Sequence, residues 1–212
     1  MSAKTKAVIF DFGHVIINID VPKTYQAFAD LCGKSAAKVE QLFQENQLFR
    51  RYEIGLYDDD EFREAVRQIL GFPFSDAEVD AAWNALLLDI PPARIDFLLE
   101  LKRRVPIYLL SNTNTLHIRA AEQILHKTTG IASLQDIFTH AFFSYDLGLW
   151  KPDPAIYEAV LSELGLLADE VLFLDDNAAN VESARRLGIP TEHIIPGQYT
   201  LLEVTSYPSL EV

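Results

Sequence analysis

Four short apolar runs punctuate the chain, and each leads into polar residues. "KAVIF" ends at Asp11, "PIYLL" at Ser111-Asn112, "AFFS" leads toward Lys151, and "VLFL" ends at Asp175-Asp176. Short apolar runs bounded by turn signals are the mark of strands buried on both faces of a parallel sheet. Between the later runs the spacing changes to the helical one. Ile95, Leu98 and Leu99 share one face, Ile156, Val160 and Leu164 a second, and Ala178, Val181, Ala184 and Leu187 a third. Strand and helix patterns that alternate in this way predict an α/β protein, a three-layer Rossmann-like parallel sheet with helices on both sides.

The segment from residue 18 to residue 92 breaks the alternation. Tyr25, Phe28 and Cys32 recur at helical spacing, as do Phe62, Ala65, Val66, Ile69 and Leu70, and then Val79, Ala82, Trp83, Leu86 and Leu87. These are amphipathic helices with no strand pattern among them. An all-helical insert directly after the first strand reads as a second subdomain, with residues 1–17 and 93–212 forming the core and Pro91-Pro92 the return hinge. It is expected over the carboxyl end of that strand, where open α/β sheets place their ligands. The alternative is that these helices pad one face of the sheet.

Composition narrows the function classes. The chain has 212 residues, 49% hydrophobic and 11% aromatic, enough for a large core. A formal net charge of -13 repels phosphate backbones, so nucleic acid is not an expected partner. Any anionic substrate must be met by local positive charge. The single cysteine, Cys32, forms no disulfide within the chain and suits a reducing compartment. The stretch "MSAKTK" has no apolar core of a leader, and no apolar run is long enough to span a membrane. The expectation is a cytoplasmic protein without membrane contact, a monomer or homodimer.

If the four runs are neighbouring parallel strands, Asp11, Ser111, Lys151, Asp175 and Asp176 meet on one rim. Carboxylate oxygens suit Mg²⁺, a hard cation. A lysine and a hydroxyl suit phosphoryl oxygens, and one carboxylate can serve as a nucleophile. The local sequence supports these placements. Asp153 and Pro154 fit a helix N-cap and first turn just after Lys151, and "NAANVESARRLG" reads as a helix closed by Gly188. Each residue alone has a plainer reading as a turn, cap or solvated side chain. Together, in this order, they point to phosphoryl transfer through an aspartyl-phosphate. A phospho-accepting receiver module also combines an Asp, a hydroxyl, a Lys and an acidic pair. Here the lone Asp is on the first strand, the pair comes late, and the long insert has no counterpart.

The stretches "VIFDFG", "LLSNTN", "GLWKPDPAIY" and "VLFLDDNAANVESARRLG" resemble the four motifs of the haloacid dehalogenase superfamily, and the helical insert resembles its C1-type cap. The likeness runs from Ala7 to about Pro196. Within the superfamily it is nearest to α-D-glucose-1-phosphate phosphatases and to the N-terminal phosphatase domains of epoxide hydrolases. The resemblance implies roles. Asp11 is the nucleophile and a Mg²⁺ ligand, Gly13 offers a backbone carbonyl to the metal, and Asp175 and Asp176 hold the metal directly or through water. Ser111, with Asn112 beside it, binds the phosphoryl group, and Lys151 neutralises charge. The implied activity is a Mg²⁺-dependent phosphatase for a small phosphorylated metabolite such as a hexose 1-phosphate.

Position 13 departs from most phosphatases of this superfamily, which carry an acid there to protonate the leaving group. Either the leaving group needs little protonation, or His14 or Glu53 supplies the proton, or the protein is a weak enzyme that binds phosphate. A phosphomutase is the further alternative. Dehalogenases of the superfamily also lack that acid, but they use no metal, and an acidic pair would serve no purpose in them. Arg50, Arg51 and Glu53 before Gly55, together with Asn114 and His117, are the candidates to touch the rest of the substrate. An ordinary salt-bridged helix face is the competing reading for the arginines.

Overall fold

The computed structural model describes residues 5–205 and residue 207. Among these residues five strands form one parallel sheet in the order β3-β2-β1-β4-β5: β1 (Ala7–Phe10), β2 (Ile107–Ser111), β3 (His140–Phe143), β4 (Val171–Asp175) and β5 (Thr191–His193). The four apolar runs are β1 to β4. The sheet edge β5 escapes the pattern because it is three half-buried residues, Thr-Glu-His, with no apolar run.

Strand alternation sorts the core. Val8 and Phe10 pack on one face of the sheet with Ile95, Leu98 and Leu125. Ala7 and Ile9 pack on the other with Ile156, Val160 and Ala184. The helices that cover the first face are α6 (Pro92–Lys102), α7 (Thr115–Thr129) and the short α8 (Leu134–Ile137). After the four-residue α9 (Ser144–Leu147), the second face is covered by α10 (Pro154–Leu164) and α11 (Ala178–Arg186). Asp153 caps α10 and Asn177 caps α11 through their side chains.

Between β1 and α6 lie five helices: α1 (Val21–Cys32), α2 (Ala36–Glu45), α3 (Leu48–Glu53), α4 (Asp59–Leu70) and α5 (Asp76–Asn84). They bury a separate apolar cluster built on Phe28, Phe43, Tyr52, Phe62 and Trp83. The strands leading in and out pair briefly: Ile19 bridges Leu87, and the Asn18 and Asp20 amides donate to Asp89 and Leu86 carbonyls at 2.8 Å. The helices lie over the carboxyl ends of the strands, with α3 packed on α9 and α5 on α7. Leu116 of α7 joins their apolar cluster. At Gly55, just past α3, the backbone runs so close to α9 that a Cβ would stand 2.5 Å from the Tyr145 carbonyl oxygen, and φ is +74°. Only glycine fits that seam.

Among the described residues no helix is long and apolar enough to cross a membrane.

Candidate active site

β1 lies between β2 and β4, so the chain reverses its direction of travel across the sheet beside β1. Such a switch point opens a crevice at the carboxyl ends. Register places Phe10 opposite Leu174, which sets Asp11 next to Asp175. Asp11, Asp175 and Asp176 each present an oxygen within 4.8 Å of the others.

Lys151 joins this group from farther off than the sequence suggests. β3 ends at Phe143, and α9 and Gly148 intervene, so the lysine sits on a loop and not at a strand end. Its side chain is 1% exposed. Nζ donates to Asp11 Oδ1 at 2.6 Å, Asp175 Oδ2 at 2.7 Å and the Leu110 carbonyl at 2.8 Å. All three ammonium protons are thereby used. Burial by itself would depress this ammonium, but Asp11 and Asp175 outweigh it and hold it above the ordinary lysine value. Burial also lifts the Asp11 carboxyl to about 7, with Lys151 opposing and Asp175 adding to the rise. Asp176, half-buried, is raised by burial and by Asp175, while His14 acts against the shift. Three carboxylates around one ammonium leave an excess of negative charge. An all-oxygen donor set of this kind fits a hard divalent cation.

Asp175 is fully buried and tightly held. Its oxygens accept from the Asn177 amide at 2.8 Å and from Asn180 Nδ2 at 3.0 Å, besides Lys151. Asn180, on the first turn of α11, was not singled out from the sequence. Its spacing after the acidic pair was the available signal, since that spacing turns its amide back toward the strand end.

Position 13 is crowded on one side by the end of the Ile19 side chain. A Cβ there would stand 3.0 Å from Ile19 Cδ1 and 4.0 Å from Asp11 Oδ2. Its backbone opens on a cavity of about 140 Å³, shared with Ser111, Asn112, Thr113, His117 and Glu53. Phe12, Ile19, Phe49 and Leu87 make its apolar wall. Among the described residues Ser111 Oγ makes only a 3.5 Å contact with the Asn112 carbonyl, so its hydroxyl remains available.

The structure brings Asp11, Lys151, Asp175 and Asp176 together and sets Ser111 and Glu53 on the adjoining cavity. It treats four expected substrate contacts differently. Both ends of the Asn112 amide are spent on the Lys151 backbone: Oδ1 accepts from its N–H and Nδ2 donates to its carbonyl, each at 2.9 Å. Asn114 is fully buried as the N-cap of α7, where Oδ1 accepts from the His117 amide and Trp83 Nε1. Arg50 and Arg51 are exposed and lie outside the cavity lining, because α3 turns that face outward. Arg50 lies over the Trp150 ring and Arg51 over Tyr57. Among the described residues neither forms the salt bridges of the competing reading; aromatic faces take their place.

His117 is buried, stacks on Trp83 with planes 5° apart, and shares a 2.8 Å hydrogen bond with Asn84 Oδ1 through Nδ1. Desolvation drops its pKa to about 3, which keeps the ring neutral. A larger open hollow of about 550 Å³ beside Asp58, Asp59 and Asp60 contains none of the carboxylates around Lys151. There Asp59 accepts from Tyr52, Thr115 and Arg119, a network that ties α3 and α4 to α7.

Comparison with known proteins points one way. The family model described as haloacid dehalogenase-like hydrolase matches residues 5–188. The D-ribitol-5-phosphate phosphatase of Bacteroides thetaiotaomicron is 31% identical, over 88% of this chain and 90% of its own. The sesquiterpene phosphatase of Aspergillus oryzae is 27% identical, over 96% and 97%. A haloacid dehalogenase family enzyme from Bacteroides thetaiotaomicron, solved in complex with magnesium and inorganic phosphate, superposes with a TM-score of 0.82 at 33% identity, over 92% of this chain and 96% of that one.

Proposed function

The chain belongs to the haloacid dehalogenase-like hydrolases, and from that premise we propose that it is a Mg²⁺-dependent phosphatase of small phosphomonoesters. The observation that carries the reading is the buried Lys151 Nζ, bonded at once to Asp11 and Asp175 beside a rim of three carboxylates. Two similar proteins are named as phosphatases, and a similar structure holds magnesium with inorganic phosphate, which supports the same chemistry.

In this reading Asp11 is the nucleophile. The Lys151 ammonium favours its ionised form against the burial that opposes it, and the hydrogen bond to Oδ1 leaves Oδ2, on the Gly13 side, to attack phosphorus in line. Ser111 donates its hydroxyl to a phosphoryl oxygen. Asn112 holds the Lys151 backbone and so acts as a positioning residue. Asp11, Asp176, Asp175 and the Gly13 carbonyl would hold the metal, and Asn180 orients Asp175. When bound, Mg²⁺ supplies Lewis-acid stabilisation of the negative charge on the phosphoryl oxygens. Water then cleaves the aspartyl-phosphate and restores Asp11.

The helical unit of residues 18–92 serves as a cap that excludes water from the cavity during transfer. A cavity of about 140 Å³ suits a compact leaving group. Small sugar phosphates, glucose 1-phosphate and ribitol 5-phosphate among them, are the first substrates to try.

The test is phosphate release across sugar phosphates, nucleotides and an aryl phosphate, with Mg²⁺ and with chelator. Activity with Mg²⁺ that Asp11→Asn removes is the expected result. No release from any phosphomonoester in Mg²⁺ would refute the reading.

A further inference from the structure

We propose that Glu53 is the general acid–base of this site, acting from α3 in place of the side chain that position 13 lacks. The inference rests on the phosphatase reading above and names the group that moves its protons.

Geometry selects Glu53. Position 13 carries no side chain, and Ile19 Cδ1 crowds the place where one would begin, 3.0 Å from a Cβ built there. Glu53 lines the same cavity as Gly13 and Ser111 and is 9% exposed. It shares its helix face with Phe49 four residues earlier, and both look into the cavity. Trp150 Nε1 donates to Glu53 Oε2 at 2.9 Å. Trp150 adjoins Lys151 in the chain, so the loop that carries the lysine also aims the carboxyl. Among the described residues Oε1 accepts no hydrogen bond, which leaves it to meet a substrate. His14, the rival from the sequence, is not among the cavity-lining residues and acts on Asp176 instead.

The surroundings suit proton transfer near neutrality. Burial raises the Glu53 carboxyl to about 7, with the Trp150 hydrogen bond and the Lys151 charge pulling the other way. His117, which lines the same cavity, is neutral, and the Arg50 guanidinium sits over the Trp150 ring, 5.6 Å from its centroid. A group with a pKa near the working pH can both give and take a proton.

The balance is complete without another reactant. Asp11 Oδ2 forms a bond to phosphorus as the ester P–O bond breaks, and protonated Glu53 gives its proton to the departing alkoxide. The Glu53 carboxylate then takes a proton from water as the water oxygen attacks the aspartyl-phosphate. Inorganic phosphate leaves, Asp11 is again a carboxylate, and Glu53 is again protonated.

Glu53→Gln tests this, because the amide oxygen still accepts from Trp150 while the exchangeable proton is lost. Parent and variant are compared with Mg²⁺ on an alkyl and an aryl phosphate. In the variant kcat for the alkyl ester should fall by about 10²–10⁴-fold. The aryl ester should still give a burst of phenol followed by slow turnover, since only hydrolysis of the aspartyl-phosphate then needs the base. The parent's pH dependence should show an alkaline limb with the alkyl ester and an acid limb with the aryl ester, both absent in the variant. Unchanged alkyl kcat, or equal loss of aryl burst and alkyl turnover, overturns the proposal. A parent inactive on both esters overturns the phosphatase reading itself. Should Glu53→Gln not fold, Trp150→Phe decides. Loss of that hydrogen bond must move the alkaline limb to higher pH, and an unmoved limb refutes the role.

Discussion

Glu53→Gln should also make the protein more stable, and only above mid-acid pH. Burial lifts the Glu53 pKa from 4.5 to about 7 in the folded chain. In the unfolded chain the same carboxyl ionises near 4.5. Below that value both states hold the proton, the amide is close to isosteric, and parent and variant should match. As pH rises from 4.5 to about 7 the unfolded parent releases its proton while the folded one retains it. The folded state then binds more protons, so parent stability falls with rising pH. Above about 7 that loss is complete. Its size follows from the gap between about 7 and 4.5; at about 1.36 kcal/mol per pH unit it comes to ~3 kcal/mol. Glutamine does not ionise and escapes the loss. Urea unfolding of both proteins in chelator, at about pH 4 and about pH 8.5, reads the difference directly. The titration of Asp11 is common to both proteins and largely cancels. A gain of ~3 kcal/mol corresponds to a rise of roughly 6–12 °C in Tm for a chain of this size. A stability difference that is flat with pH, or a variant less stable in alkali, would refute the reasoning. The expected pairing of higher stability with lower turnover is the trade-off of a carboxyl kept in an apolar cavity for its chemistry.

Asp11→Asn should abolish turnover in the phosphate-release assay while circular dichroism shows the fold retained. Mg²⁺ should raise the parent's Tm by mass action, with chelator reversing the rise, because the three clustered carboxylates repel one another without a cation. Gly13→Asp puts a Cβ against Ile19 Cδ1 and should cost about 1–3 kcal/mol in unfolding measurements, a cost relieved by adding Ile19→Ala. The same variant should speed alkyl phosphates more than aryl ones, since only the poorer leaving group needs the added acid. Asn180→Ala leaves Asp175 with two fewer donor contacts and should lower stability by about 1–3 kcal/mol. It should also raise the Mg²⁺ concentration needed for half-maximal activity.

Much of this protein was determined by local sequence. Short apolar runs bounded by turn signals read as strands of a covered sheet, so β1 to β4 and the polar groups Asp11, Ser111 and Asp175 at their ends were legible. Helices α4, α5, α10 and α11 were legible too, because their apolar faces repeat at 3.6 residues and their caps are local. Tertiary structure decided what depends on neighbours distant in the chain. β5 has no apolar run and exists because β4 offers an open edge to pair with. Sequence put Arg50, Arg51 and Glu53 in one stretch, but a six-residue helix shows one face to the cavity, and docking on α9 chose the face of Phe49 and Glu53. Asn112 and Asn114 are polar residues beside the strand end, yet the Lys151 backbone takes both ends of the Asn112 amide and the first turn of α7 takes the Asn114 carbonyl oxygen. A side chain's partners, and with them its charge, are set by what packs around it, and for Glu53 and Lys151 those partners come from elements brought together only by the fold.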